Sequence, residues 1–319
     1  GRRLVTLGEA LDETPPPAPA APPEPRPPLE LRPTRLSVTA VETWLRDPYA
    51  IYARHILKLD EIGPVGPEPG PGDLGNAIHG ALELFAASGL DPAHPDAREA
   101  LLGFGRAAFG PLLDRDEART LWWPRFVRVA DWLLQRERLR GPRIAARHVE
   151  RSGAARFPTI AGRDFELTAR ADRIDLMTDG SVALIDYKTG RVATAKQALA
   201  GFAPQLPLEA AILRKGGFPD VAPEGVSVES LTLLRLTGRD PAGEEIDIRH
   251  KETPLDQVAD EAFAAFAKVV NRFENPDEPY RSLSHPQFLS RPEGPYGHLA
   301  RVREWSATGG AGEDGGAEE

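Results

Sequence analysis

Two short segments of the sequence carry charged side chains in a pattern that could do chemistry. The segment ADRID contains Asp172, and the segment IDYKTG contains Asp186 and Lys188. The turn-forming residues TDGS separate the two segments, which predicts two adjacent antiparallel strands. Asp186 and Lys188 are two residues apart and share a strand face with Val182 and Leu184. These charges therefore either decorate a sheet edge or converge on a metal ion at the end of a buried strand.

The position of Asp172 relative to Asp186 depends on the register of this hairpin. A two-residue DG turn pairs residue 178 with residue 181 and sets Asp172 opposite Tyr187. A three-residue TDG loop pairs residue 177 with residue 181 and sets Asp172 opposite Asp186, with Cβ atoms roughly 4.5–5.5 Å apart. At that distance two carboxylates can share a hard cation, and without one they would repel each other. The metal interpretation therefore predicts a three-residue loop at residues 178–180.

Metal-assisted hydrolysis of a phosphodiester bond is the chemistry that fits two carboxylates and a lysine. Oxygen ligands suit magnesium, which keeps several waters and is typically held by one or two carboxylates. A bound metal makes a water more nucleophilic and neutralises charge on the phosphate. A lysine two residues from a ligand carboxylate can orient that water or stabilise the developing charge.

Composition and charge are compatible with a nucleic-acid-binding protein but do not select one. The chain has 319 residues, a net charge of −9 and no cysteine, which excludes disulfides and cysteine-ligated metal sites and fits a cytoplasmic location. Residues 119–147 hold eight arginines against Asp131 and Glu137, a local charge of +6. This stretch is either a phosphate-binding face or a solvated helix face. No apolar run approaches the length of a membrane span, so no membrane partner is expected.

The chain divides into a proline-rich start, one large domain and an acidic tail. Residues 14–33 contain ten prolines, so residues 1–33 are expected to form a disordered linker. Residues 34–306 form the expected domain. Its parts are a mainly helical region over 34–142, a catalytic sheet over 143–250, and a helix with a closing segment over 254–306. Residues 307–319 are expected to be disordered. Because the sequence starts without methionine, we expect a piece of a longer polypeptide.

Hydrophobic periodicity predicts a mixed α/β fold. Apolar residues at helical spacing predict helices within residues 36–59, 74–88, 120–140, 204–217 and 254–274. Alternating or apolar runs predict strands within residues 143–153, 165–177, 181–190, 227–238 and 244–250. Three consecutive strands without helical crossovers between them cannot all be parallel, so the sheet is expected to be mixed and flanked by helices.

The segments ADRID and IDYKTG together resemble the central motifs of the PD-(D/E)XK nuclease superfamily, in particular its RecB-type nuclease module. The segments LGNAIHGALE and PQLPLEAAIL are similar to the histidine and glutamine motifs of that module. The segments RLSVTAVETWLRDPYAIYARHILKL and YGHLARVREWS make the chain similar to the C-terminal nuclease domain of AddB subunits in AddAB-type helicase–nucleases. The resemblance covers roughly residues 34–306.

This resemblance implies a restriction-endonuclease-like core and a magnesium-dependent deoxyribonuclease, with manganese as a substitute metal. The implied metal ligands are the side chains of His79, Asp172 and Asp186 and the backbone carbonyl of Tyr187. The implied water-activating or charge-stabilising group is Lys188, and the implied supporting residues are Gln205, Glu83 and Arg173. The implied substrate is DNA, as a single strand delivered by a helicase. The implied partner is an AddA-type subunit, and the implied role is processing double-strand breaks for recombinational repair.

The sequence also departs from the family pattern. Many members hold an iron–sulfur cluster with one upstream and three downstream cysteines. Here the upstream position is Asp47, so no cluster is expected and ordinary packing must join the two ends. Glu209 stands where an aromatic residue is common, and Ala169 replaces a frequent glycine. These departures leave an alternative open, in which the module is catalytically silent and serves DNA binding or subunit assembly.

Overall fold

A mixed six-stranded sheet forms the centre of the fold. The computed structural model describes residues 2–12, 20–63, 68–285 and 294–306. The strands are β1 (Arg35–Ser37), β2 (Ile144–Pro158), β3 (Asp164–Met177), β4 (Val182–Lys188), β5 (Val228–Leu236) and β6 (Gly243–Asp247). The pairs β2–β3, β3–β4 and β5–β6 are antiparallel, while β1 lies parallel to β3 and β4 lies parallel to β5. The prediction of a mixed sheet is confirmed.

The hairpin between β3 and β4 has the register that the metal interpretation requires. The N–H of Met177 donates to the carbonyl of Ser181 over 2.8 Å, so the turn is the three-residue loop 178–180. Gly180 closes this loop with a φ of +85°, a left-handed conformation that glycine adopts without strain. The two-residue turn, which would set Asp172 opposite Tyr187, does not occur.

Asp172 lies where one edge of β3 is unpaired. β2 pairs along the opposite edge of β3. The edge that contains Asp172 pairs with β1 near the start of β3 and with β4 near its end, and it is unpaired between them. β1 pairs with β3 as far as Thr168, and β4 pairs with it from Arg173, which faces Ile185. Continuing the register by one residue sets Asp172 opposite Asp186. The two strands stop pairing at this point, so the sheet opens at the first acid.

Helices cover both faces of the sheet. The α-helices of the described residues are α1 (Arg2–Asp12), α2 (Val38–Arg46), α3 (Pro48–Ile51), α4 (Pro71–Ala87), α5 (Ala97–Phe109), α6 (Trp123–Arg140), α7 (Ala195–Leu199), α8 (Gln205–Arg214), α9 (Leu255–Arg272) and α10 (Val302–Trp305). α2, α8 and α9 pack with Val182 and Leu184 in one core, and α4, α5 and α6 pack with Ile185 and Tyr187 in the other. Asp186 therefore enters on the side of α2 and α8. None of the described helices combines the length and the apolar character needed to cross a membrane.

The N-terminal segment differs from the expected disordered linker. α1 is helical, and residues 20–33 lie against the domain. The Arg32 side chain is buried, and its Nη1 donates to the carbonyls of Phe273 and Asn275 at 2.7 and 2.8 Å. Its guanidinium also lies over the ring of Tyr280. Residues 20–33 dock partly because Arg32 satisfies backbone carbonyls that follow α9, and the N–H of Tyr280 adds a hydrogen bond to the carbonyl of Pro25 over 2.9 Å. Composition does not reveal these long-range contacts.

Asp47 joins the start of α3 to the closing segment of the domain. It is buried, and its Oδ1 accepts a hydrogen bond from the N–H of Leu283 over 3.1 Å. Next to it, the N–H of Tyr49 donates to the carbonyl of Arg281 over 3.2 Å, and Tyr49 packs in a small apolar cluster that includes α10. The two ends are thus joined by a buried carboxylate as well as by packing. The expected acidic tail, residues 307–319, lies outside the described residues.

Candidate active site

The end of β4 carries a buried acid paired with a lysine. Asp186 is 1% exposed, and Nζ of Lys188 lies 2.8 Å from its Oδ1 and 2.7 Å from its Oδ2. Gln205, the first residue of α8, donates from Nε2 to Oδ1 of Asp186 over 2.7 Å. Its Oε1 accepts from Nζ of Lys188 over 3.2 Å. The structure thus brings these three residues into one hydrogen-bonded cluster.

Asp172 and His79 approach this cluster from β3 and α4. Oδ2 of Asp172 accepts a hydrogen bond from the N–H of Tyr187 over 2.9 Å, and Nδ1 of His79 lies 3.6 Å from the same oxygen. The His79 ring packs edge-to-face on the Tyr187 ring, with centroids 5.9 Å apart. α4 approaches β4 closely because Gly75 has no side chain: a Cβ there would lie 2.8 Å from Oγ1 of Thr189.

The electrostatics of the site depend on burial and on an excess of acids. Burial raises the pKa of Asp186, the Lys188 ammonium lowers it and the Asp172 carboxylate raises it, and the net direction is upward. Burial lowers the pKa of Lys188, but the carboxylates of Asp186, Asp172 and Glu209 together outweigh burial, so the net shift is upward. One ammonium faces several acids, so the site favours an additional cation.

Two further acids border the site, and neither was predicted as a site residue. Glu209 is 1% exposed on α8 and accepts a hydrogen bond from Nε2 of Gln205 over 3.0 Å. Burial, followed by the Asp186 carboxylate, raises the pKa of Glu209 well above its usual value. Glu150 lies on β2 across from Asp172 with a φ of +50°, and burial and the Asp172 charge raise its pKa. The signal for Glu209 was an acid inside the apolar run of α8, one turn after Gln205.

The two remaining predicted supporting residues lie on different sides of the site. Glu83 lines the open cavity beside His79 but does not hydrogen-bond to the imidazole. Arg173 is 2% exposed and points toward α6, where both of its Nη atoms donate to Glu137 at 2.6 and 3.0 Å. Its Nη1 also donates to the hydroxyl of Tyr187 over 3.3 Å. Arg173 therefore contacts the site only from behind, through the tyrosine side chain.

A family model matches most of the chain. It is the model of the PD-(D/E)XK nuclease superfamily, and the match extends over residues 35–285. The chain belongs to the PD-(D/E)XK nuclease superfamily. The matched range contains the whole sheet and every side chain of the site described above. The predicted fold class, a mixed sheet flanked by helices with a helical N-terminal part, is confirmed.

Similar proteins occur in Rickettsia. An uncharacterized protein of Rickettsia felis (strain ATCC VR-1525 / URRWXCal2) is 31% identical over 206 residues, which cover 63% of this chain and 24% of that protein. An uncharacterized protein of Rickettsia bellii (strain RML369-C) is 28% identical over 220 residues, which cover 66% of this chain and 26% of that protein. The chain thus spans about a quarter of these relatives. The crystal structure of SSO0001 aligns with 64% of this chain and 79% of that chain, at 14% identity and a TM-score of 0.24.

The PD-(D/E)XK site fits a hard divalent cation. Oδ2 of Asp186 is buried and accepts no well-aligned hydrogen bond from the described residues, although Nζ of Lys188 lies 2.7 Å away. Within the described ranges, no three histidine or carboxylate side chains converge into a complete metal cage. Magnesium does not require one, because it keeps several waters and takes one or two protein carboxylates. Asp172 and Asp186 would supply these, and His79, whose Nδ1 lies 3.6 Å from Oδ2 of Asp172, would be a further donor.

Most of the eight arginines in residues 119–147 are engaged within the chain. Four pair with acids, as Arg119 with Asp116, Arg140 with Glu245, Arg143 with Glu229, and Arg147 with Glu137. Two donate to backbone carbonyls, Arg128 to Gly238 and Arg138 to Pro92. Six of the eight arginines thus have a partner within the chain, and the ion pairs of Arg119 and Arg143 lie on the exposed surface.

Proposed function

We propose that this chain is a magnesium-dependent deoxyribonuclease domain that hydrolyses phosphodiester bonds. The observation that carries the proposal is the pair Asp172 and Asp186, held across the β3–β4 hairpin with Lys188 bound to the second acid. Two carboxylates in this arrangement suit a divalent cation, and the lysine places a positive charge where a phosphate would lie. Membership of a nuclease superfamily supports hydrolysis of nucleic acid. The metal and the choice of DNA rest on the donor set and on the motif resemblance.

Each residue of the site has a role in this proposal. A bound cation would supply a more nucleophilic water and neutralise charge on the phosphate. The residues that would hold it are Asp172, Asp186 and His79, with the Tyr187 carbonyl. Lys188 is protonated, so its Nζ donates to a phosphate oxygen and stabilises the charge that develops there. Gln205 keeps that ammonium in place by accepting one of its N–H groups and donating to Asp186.

We further propose that the domain cleaves a single strand delivered by a helicase and takes part in processing double-strand breaks. The support is the similarity of residues 35–59 and 296–306 to the nuclease domain of AddB subunits. An AddA-type subunit would be the partner. Because the chain has no cysteine, this version of the domain would work without an iron–sulfur cluster.

Cleavage of labelled single-stranded DNA tests the proposed activity. The wild type, Asp186→Asn and Lys188→Ala are compared in magnesium, in calcium and in EDTA. We expect cleavage in magnesium only, and a loss of roughly 10²–10³-fold in each variant, because Asp186→Asn removes a carboxylate that would hold the cation and Lys188→Ala removes a positive charge that stabilises the reacting phosphate. Asp260→Asn is the matched control, since Asp260 is an exposed acid on α9 that pairs with Arg214 of α8. Equal cleavage by the wild type and both site variants would contradict the assignment.

A catalytically silent module is the second candidate, and buried Glu209 is the observation that favours it. This acid takes the second hydrogen bond of the Gln205 amide and adds a carboxyl group near Lys188. A silent module would bind DNA or hold a partner subunit without cutting. It predicts no metal-dependent cleavage, together with salt-sensitive DNA binding that survives Asp186→Asn.

A further inference from the structure

Two cavities meet at the end of β4. The metal-side cavity has a volume of about 540 Å³ and is lined by Gly75, Asn76, His79, Glu83, Tyr187 and Thr189. The arginine-side cavity has a volume of about 430 Å³ and is lined by Thr43, Arg46, Gln197, Phe202, Gln205 and Leu206. Lys188 and Arg191 line both. A strand whose phosphate lies at Lys188 therefore has a cavity on each side of that phosphate.

The two cavities differ in charge. The metal-side cavity contains Glu83 and opens beside the acids of the site, so it repels phosphates that no cation neutralises. The arginine-side cavity is bordered by three cations, Lys188, Arg191 and Arg46. Its acid, Glu42, is paired with Arg46 over 3.2 Å. The arginine-side cavity is thus the better place for a second phosphate of the same strand.

Arg191 is the side chain in this cavity most available to a ligand. It is exposed, and it makes no ion pair or hydrogen bond with any other described residue. This distinguishes it from most arginines of residues 119–147, which are held by acids and carbonyls. Arg46 is anchored differently: its Nη2 donates to the carbonyl of Phe202 over 2.9 Å, while its Nε is buried and has no partner among the described residues.

The rest of the arginine-side cavity suits a base. Phe202 and Leu206 supply apolar surface, and the polar side chains of Thr43 and Gln197 can hydrogen-bond to base edges. Aromatic side chains stack on unpaired bases without sequence preference. A volume of about 430 Å³ lies within the range of small-molecule sites, about 300–1,000 Å³, and admits one unpaired nucleotide at a time.

We propose that the arginine-side cavity binds the nucleotide next to the scissile phosphate of a single strand, with the following phosphate on Arg191. The inference rests on the proposed function, because it takes the scissile phosphate to lie at Lys188. The inference adds a binding subsite for an unpaired nucleotide beside the proposed catalytic residues. Arg191 is a substrate-binding residue in this scheme, and it takes no part in holding the metal.

Salt-dependent binding of a labelled oligodeoxythymidine tests the subsite. The binding is measured by fluorescence anisotropy in magnesium, in the Asp186→Asn background so that cleavage is slow compared with the measurement. Arg191→Ala is expected to weaken binding roughly tenfold and to reduce the slope of log Kd against log salt by about 0.7, the value for one phosphate contact with a single strand. Arg191→Lys retains the charge and is expected to retain the slope.

Arg115→Ala is the matched control, because Arg115 is also an exposed arginine and lines neither cavity. Equal effects of Arg191→Ala and Arg115→Ala on the salt slope would overturn the subsite. If Arg191→Ala alone reduces the salt slope, the subsite is supported, whether or not the wild type cuts DNA. A wild type that cuts no DNA would overturn only the proposed nuclease activity. Metal-dependent cleavage together with an unchanged slope in Arg191→Ala would overturn only the subsite.

Discussion

The N–H of Tyr187 donates a hydrogen bond to Oδ2 of Asp172 over 2.9 Å, and this contact fixes the two acids of the site relative to each other. Tyr187 follows Asp186 on β4, so the backbone next to Asp186 is hydrogen-bonded directly to the Asp172 carboxylate. The Tyr187 side chain points to the other face of the sheet, where its hydroxyl accepts a hydrogen bond from Arg173. One residue thereby links the candidate metal ligands to the buried ionic cluster beneath α6.

Glu137 in that ionic cluster is expected to govern stability in acid. Burial raises the pKa of Glu137, but Arg173 and Arg147 outweigh burial and lower it below 4.5 in the folded protein. Between the folded pKa and 4.5 the unfolded chain binds more protons, so stability rises with pH across that window. The contribution of Glu137 is therefore complete above pH 4.5 and is lost as the pH falls through the folded pKa.

Glu137→Gln is predicted to lower the free energy of unfolding at pH 7 by on the order of 3 kcal/mol, because it leaves a buried arginine with less compensating charge. The difference from the wild type should shrink in acid. Urea unfolding of the wild type and the variant, at pH 7 and below pH 4.5, measures this difference. Asp131 lies on the same helix as Glu137 and is an exposed partner of Arg98 on α5. Asp131→Asn should therefore change stability little at either pH. A Glu137→Gln deficit that is equally large in acid would contradict this account.

Asp47 is expected to hold the closing segment onto the domain. Asp47→Ala leaves the partly buried N–H of Leu283 without its acceptor, which costs about 1–3 kcal/mol of unfolding free energy. Asp47→Asn keeps an acceptor oxygen in place and should lose less. Urea unfolding gives the free energies, and trypsin cleavage after Arg281 should become faster in Asp47→Ala. Equal stability of the alanine and asparagine variants would show that packing alone joins the two ends.

Glu209 is expected to position the Gln205 amide. The Gln205 NH₂ group faces two carboxyl groups and its oxygen faces the Lys188 ammonium, so Glu209 favours this one orientation of the amide. Glu209→Leu removes the acceptor and should lower kcat roughly tenfold with little change in KM, because the lysine is less well placed. Glu209→Gln retains an acceptor and should stay close to the wild type. Steady-state kinetics on single-stranded DNA decide this, and an equal loss in both variants would count against positioning.

The close approach of α4 to β4 predicts a paired rescue. In Gly75→Ala the new methyl group would lie 2.8 Å from Oγ1 of Thr189, so either the Thr189 side chain or the loop that carries it after Lys188 must shift. We expect roughly a tenfold loss of cleavage, since small displacements of positioned groups are costly. Thr189→Ala removes the clashing oxygen, and the double variant should recover most of the activity. A double variant as slow as Gly75→Ala would mean that the contact with Thr189 is not the cause.

The side-chain period of a strand left two registers open for the β3–β4 hairpin, and the metal interpretation selected one of them. Only the three-residue loop at 178–180 sets Asp172 opposite Asp186, and the structure has that loop. Helices with strong hydrophobic periodicity, such as α9, could also be predicted from the sequence. The start of α4 was not: a helix was predicted within residues 74–88, but α4 begins at Pro71, and the Asp73 side chain accepts a hydrogen bond from the N–H of Gly70.

Long-range contacts explain what the sequence did not reveal. β1 has three residues and exists only because it pairs with β3, more than a hundred positions away. Arg32 docks the proline-rich segment through carbonyls beyond α9, and Arg143 pairs with Glu229 on β5. Glu150 and Glu209 border the site through their places on β2 and α8. In each case except Glu209 the decisive partner is distant in the chain, so local pattern carries no sign of it. Glu209 did carry a local sign, because it is an acid inside the apolar run of α8.

A crystal soaked in manganese tests the central claim most directly, because manganese scatters anomalously and can replace magnesium. The account predicts one strong anomalous peak between the carboxylates of Asp172 and Asp186, within coordination distance of both, and no such peak in Asp186→Asn. The absence of a peak at these two acids in the wild-type protein, or a peak that persists unchanged in Asp186→Asn, would contradict it.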